Sequence, residues 1–190
     1  MAETWRKRIR LTRRAVPALL PALALATILA CRPKQRAGSA LPEGWVAEGA
    51  GPPEAGKPAA DFRLPAIDGK LLSLSEQRGQ VVLINFWATW CAPCRVEMPE
   101  LVRVYERYKA RGFTVLAVNV EEDAPEAAAF AQQYALPFPV LLDRDGRLSR
   151  AWQLRGLPSS ILIDRTGTVA TVHLGPLTAE MIEQRLKGLL

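Results

Sequence analysis

Two thiols three residues apart are the most chemically specific feature of this sequence: Cys91 and Cys94 in Trp90-Cys91-Ala92-Pro93-Cys94. The apolar run Val81–Trp87 precedes them and a helical pattern begins at Pro93, so the pair is expected where a strand hands over to a helix. Cys91 then takes the helix N-terminus, where free N–H groups and the positive end of the dipole stabilise a thiolate. Cys94 faces the same side from within the first turn. That geometry lets the two close a small disulfide ring, with one sulfur exposed and the other covered. Thiol–disulfide exchange asks for this division of labour. Cys91 is the nucleophile that forms a mixed disulfide, and Cys94 is the resolving thiol that releases it.

Other uses of such a pair fit the sequence less well. Structural zinc takes four ligands, usually Cys or His, and beyond Cys31 the chain has only these two cysteines and a single histidine, His173. A copper carrier would want a wider Cys-x-x-x-Cys and a matching histidine. A disulfide across so few residues constrains the unfolded chain little, which argues against a purely structural bridge. No metal and no cofactor is expected. His173 lies in a strand-like run and reads as structural. Trp87 and Trp90 read as packing around the site, with Trp90 shielding Cys91.

The elements that must position this pair alternate along the chain. Phe62–Leu64 and Leu71–Leu74 flank Asp68-Gly69, a strong hairpin signal. Val81–Trp87 and Phe113–Val120 are near-continuous β-branched and apolar runs, as in strands buried on both faces. Between them, from Pro93 to Arg111, Val96, Leu101, Val104, Tyr105 and Tyr108 fall near one helical stripe, with Pro99 expected to kink the helix. Ala124–Tyr134 reads as a helix, Val140–Leu142 as a short strand and Arg147–Gln153 as a short helix. Ser160–Asp164 and Thr168–Leu174 form a hairpin, and Thr178 caps a closing amphipathic helix to Leu189. This order predicts an α/β fold, a mixed central sheet between helices with a β-hairpin at the N-terminal side.

The stretch from Asn85 to Cys94, NFWATWCAPC, resembles the thioredoxin superfamily and within it the TlpA/ResA-like thiol–disulfide oxidoreductases. Asp61-Phe62, Asp68-Gly69, Gly156-Leu157-Pro158 and Ile163-Asp164 extend the likeness over residues 57–190. The resemblance implies a thioredoxin-like three-layer α/β/α fold in which Pro158 is a cis-proline facing the cysteines. It also implies that the Leu157 backbone, with Trp90 nearby, pairs with an extended substrate peptide. Where thioredoxins carry a buried aspartate, this chain has Asn85, which exchanges no proton at neutral pH. The resemblance assigns the proton work instead to Glu97, one helical turn beyond Cys94. Spacing alone favours an ordinary surface glutamate, and it is the resemblance that reverses this. It further implies a protein-disulfide reductase whose clients include apocytochrome c and whose electrons come from a membrane thiol–disulfide reductase. Two alternatives share the fold: a copper-binding lipoprotein, and a peroxiredoxin-like peroxidase. The peroxidase pattern needs Thr or Ser three residues before the cysteine and Pro four before that, where Ala88 and Ile84 stand.

The net charge of +6 over 190 residues would suggest nucleic acid, but its distribution does not. Nine of the 25 Lys and Arg residues lie within residues 1–36 against Glu3 alone, which leaves the remainder at −2. No nucleic-acid partner is expected. Met1–Arg14 is a cationic leader, and the apolar Ala15–Ala30 would span only about 24 Å as a helix, against roughly 30 Å of membrane hydrocarbon. Residues 1–31 therefore read as an export signal, 32–56 as a Pro/Gly/Ala-rich linker and 57–190 as the folded domain. Ile28-Leu29-Ala30-Cys31 resembles a lipobox, which would tether the protein through lipid on Cys31 at the extracytoplasmic or periplasmic face of a membrane. Cleavage after Ala26, leaving Cys31 a free thiol, and an uncleaved anchor are the alternatives, and all three export the chain. Mass spectrometry of the native N-terminus is expected to find lipid on Cys31. A mature chain beginning at Thr27 would remove the lipid and keep the export.

Overall fold

The computed structural model describes residues 44–47 and 49–190. The leader, Cys31 and linker residues 32–43 lie outside them. Among the described residues no helix is long and apolar enough to cross a membrane.

The central sheet has five strands. β4 (Val81–Trp87) lies in the middle, parallel to β5 (Phe113–Val120), which is parallel to β6 (Val140–Asp143). On its other side β4 pairs antiparallel with β7 (Ser159–Ile163), which pairs with the edge strand β8 (Val169–Leu174). Every residue of β4 is buried because both faces of the sheet are covered. Alternation then divides it. Val81, Leu83 and Trp87 join one core with α1 (Ala92–Tyr108), α2 (Ala124–Gln133) and α4 (Ala179–Leu186). Val82, Ile84 and Phe86 join another, built on Trp152 at the end of α3 (Arg147–Ala151) and on Phe62 and Leu64. Phe62 and Leu64 belong to a separate antiparallel sheet of β1 (Trp45–Val46), β2 (Phe62–Pro65) and β3 (Leu71–Ser73). The fold is thioredoxin-like, with the N-terminal hairpin completing the layer that α3 alone is too short to cover.

Two features depart from the sequence expectation. Trp45–Val46, inside the segment read as linker, pairs with β2, and Val46 and Ala50 pack against the Phe62–Trp152 core. The packed body thus begins before residue 57. Val96, assigned to the buried stripe of α1, is 73% exposed, because the buried face runs through Cys94, Glu97, Met98, Leu101 and Val104. As expected, Pro99 lies inside α1.

Two polar residues hold the loops. Asp143, 1% exposed, accepts the N–H groups of Leu148 and Ser149 and so caps α3 from the end of β6. At the opposite end of the sheet Arg165 donates to the carbonyls of Gly79, Arg111 and Leu189, gathering the entries of β4 and β5 with the C-terminus. Asp143→Ala leaves two donors without their carboxylate and is expected to cost about 2–3 kcal/mol, read as a lower urea midpoint. Arg103→Ala, which removes only the solvent-facing pairs with Glu100 and Glu180, is expected to leave the midpoint unchanged.

Candidate functional site

The site is built where β4 ends and α1 begins. Cys91 is the N-cap of α1, with extended backbone (φ −77°, ψ 102°) and Pro93 in the first turn. Its Sγ accepts the backbone N–H of Cys94 at 3.3 Å, so the sulfur that ends the strand also receives a free donor of the helix. The two cysteines are joined in a disulfide, with Cα atoms 5.3 Å apart. Both are buried in this oxidised state, Cys91 at 4% and Cys94 at 0%, within the apolar cluster that includes Trp87, Ala88 and Met98. Trp90, expected to shield Cys91, is instead 69% exposed. The core on this side of the sheet is filled instead by the buried Trp87, whose ring lies tilted against Phe130 with centroids 4.4 Å apart.

The Leu157–Pro158 peptide bond is cis. Pro158 is buried and its carbonyl accepts the N–H of Gly175, while the Ser159 hydroxyl donates to Gly156. Leu157 packs against both core clusters, one of which holds the cysteines.

Glu97 lies beneath the pair and is 1% exposed. Its Oε1 accepts from Asn85 Nδ2 at 2.8 Å and its Oε2 from the Leu177 N–H at 2.9 Å. Burial pushes its carboxyl up to about 7, and the two hydrogen bonds offset part of the rise. Asn85, wholly buried in β4, also donates from Nδ2 to Ser160 Oγ at 3.0 Å across the β4–β7 pairing. Glu97 is thus a braced interior acid, placed by three elements, and not the solvent-facing residue that its spacing allows.

A second braced carboxylate escaped the sequence reading. Glu122 accepts from the Thr89 N–H (2.7 Å), the Thr89 hydroxyl (2.5 Å) and Asn119 Nδ2 (2.7 Å), pinning the loop two residues before Cys91. The parallel register that sets Trp87 beside Asn119 was the available signal, since it puts the exits of β4 and β5 side by side. Glu121, in the left-handed region at φ 57°, makes the turn that aims Glu122 back. Among the described residues no three His, Cys, Asp or Glu side chains converge in a way that could hold a metal ion.

Comparison with known proteins points the same way as the geometry. The Redoxin family model matches residues 54–190. Over 134 residues the chain is 40% identical to the thiol-disulfide oxidoreductase ResA of Geobacillus kaustophilus, covering 70% of this chain and 77% of that one. It is 37% identical to the thioredoxin-like protein YneN of Bacillus subtilis, covering 69% and 78% of the two chains. Among solved structures, a Chlorobium tepidum protein proposed to be the thiol:disulfide interchange protein DsbE superposes with a TM-score of 0.68 at 37% identity, over 72% of this chain and 98% of that one.

The raised pKa of Glu97 links folding to pH. An acid whose folded value lies above its unfolded one binds its proton more tightly when folded, so the contribution is complete below about pH 4.5 and is lost as pH rises through about 7. The loss is expected to reach roughly 3 kcal/mol. Guanidinium unfolding of the oxidised protein between about pH 4 and pH 8 should show this decline in the wild type and not in Glu97→Gln. Parallel profiles would mean that folding leaves the proton affinity of Glu97 unchanged.

Proposed function

The chain belongs to the Redoxin family and is a thiol–disulfide oxidoreductase, and we propose that it reduces disulfides of exported proteins from the extracytoplasmic face of a membrane. The observation that carries this is the Cys91–Cys94 disulfide at the start of α1 with a braced carboxyl, Glu97, buried one turn below. In the reduced protein the Cys91 thiolate attacks one sulfur of a client disulfide. A Cys91–client bond forms and the client's other sulfur leaves as a thiolate. Cys94 then gives up its proton and attacks Cys91 Sγ, closing the Cys91–Cys94 disulfide and releasing the second client sulfur. Two electrons pass from the dithiol to the client. Glu97, with an acidity constant near neutral, is the group suited to take the Cys94 proton and to return it when the pair is reduced again.

The client's backbone is held beside Leu157 and Pro158, and the exposed Trp90 offers it an apolar contact. A membrane thiol–disulfide reductase restores the dithiol. Lipid on Cys31 tethers the enzyme, with part of the 32–56 segment as spacer. Apocytochrome c, whose haem-binding thiols must stay reduced, is the client class this reading favours.

Three measurements test it. In the reduced protein iodoacetamide should label Cys91 first. Cys94→Ser should accumulate mixed disulfides in the native host, apocytochrome c among them, and Cys91→Ser almost none. First labelling at Cys94 would reverse the roles, and trapped clients without cytochromes would redirect the pathway. Glu97→Gln should keep the disulfide and slow exchange by about 10–100-fold, an effect that stopped-flow kinetics across pH would read.

A further inference from the structure

Asn85 stands out among the groups around Glu97 because its amide is only half satisfied. Nδ2 donates both to Glu97 Oε1 and to Ser160 Oγ, while Oδ1 is buried with no partner. A buried acceptor left empty is costly and calls for a reason. The reason lies in what its neighbour needs. An ionised carboxylate wants donors only, and Asn85 and Leu177 supply them. A protonated Glu97 carries an O–H and wants an acceptor as well. Rotating the Asn85 amide by half a turn about its last side-chain bond exchanges Oδ1 and Nδ2 in place. Oδ1 would then stand about where Nδ2 is, 2.8 Å from Glu97 Oε1 and 3.0 Å from Ser160 Oγ. It would accept the new carboxyl proton and that of the Ser160 hydroxyl, which is a free rotor.

We propose that Asn85 is the positioning residue for the proton of Glu97, turning its amide to present Nδ2 to the carboxylate and Oδ1 to the acid. This rests on the reading of Glu97 as the proton handler of the exchange. Ser160 keeps its bond through the turn, since a hydroxyl accepts in one state and donates in the other, while the Nδ2 hydrogens move to the position that Oδ1 holds without a partner. An aspartate at position 85 would set a second carboxyl against the first, and the pair would share one proton. A leucine would serve neither state. The amide therefore lets a buried acid change charge without losing its side-chain partner.

The titratable and charged groups on the elements packed around Glu97 are few. On α1 those nearest Glu97 along the chain are Cys94, in the disulfide, the exposed Arg95, and Glu100, held by Arg103 and the Ala179 N–H. On α4 Glu180 meets Arg103, Glu183 meets Arg107, and Arg185 donates to Met181 and lies 3.4 Å from His173 of β8. In the oxidised protein Glu97 is thus the buried titrating group beside Asn85, and its proton can be followed by itself.

Nuclear magnetic resonance of the oxidised full chain tests the proposal. The carboxyl carbon of Glu97 reports its proton, and Overhauser contacts from the Asn85 amide protons to the Ser160 methylene report which way the amide points. Those contacts are expected to be present above the Glu97 midpoint and lost below it, with one shared midpoint, and to be independent of pH in Glu97→Gln. Contacts that persist unchanged through the Glu97 midpoint would overturn the proposal, as would a Glu97 that does not titrate between about pH 4 and pH 9. The role of Glu97 fails separately. An undiminished exchange rate in Glu97→Gln, with an amide that still turns in the wild type, would remove Glu97 from the mechanism and leave Asn85 as its partner.

Discussion

A carboxyl group that is 1% exposed must be met by donors from whatever surrounds it, and this requirement ties the site together. Glu97 reaches Asn85 in β4 and the Leu177 N–H just before α4, so one side chain of α1 fixes the helix against the central strand and the closing helix. Asn85 continues the connection to Ser160 in β7, the strand that follows the cis Leu157–Pro158 bond. The sulfurs at the start of α1 are placed relative to that loop by the same few hydrogen bonds that satisfy the acid. Burial sets its acidity, and its acidity suits it to exchange chemistry near neutral pH. Structure and reactivity share a cause here.

Glu122 repeats the device at the surface of the site. A carboxylate that accepts three donors from Thr89 and Asn119 holds the approach to Cys91 as Glu97 holds the ground beneath Cys94. The disulfide is therefore framed by two acids with different surroundings, one wholly buried and one half-buried. Burial suppresses the charge of the first near neutral pH.

The strands were legible because β4 and β5 are covered on both faces, and such strands must be apolar throughout. The cysteine pair was legible because its spacing and its place after a strand have few other chemical uses. The burial of Glu97 was not, since the donor that closes over it belongs to Leu177, 80 residues away. For the same reason Val96 was misassigned. A helix stripe drawn through apolar residues alone omits a buried acid, and the true face is rotated to include it. The clamp by Glu122 depends on a left-handed turn at Glu121, where no glycine advertises it. Trp45–Val46 are two apolar residues amid proline and glycine, too short a run to show a period, and they declare themselves as a strand only by pairing with β2.

The near-complete burial of both sulfurs has a consequence for the traffic of electrons. A disulfide 4% and 0% exposed at its two ends is insulated, in the sense that a wire is. Small thiols and oxidants that collide at random find little sulfur to attack. Under the proposed function, a protein partner that pressed its own chain against Trp90 and the Leu157–Pro158 loop would bring the binding surface needed to open the cover. On that reading, contact by shape, more than redox potential alone, would decide which couples exchange electrons and which merely share a compartment.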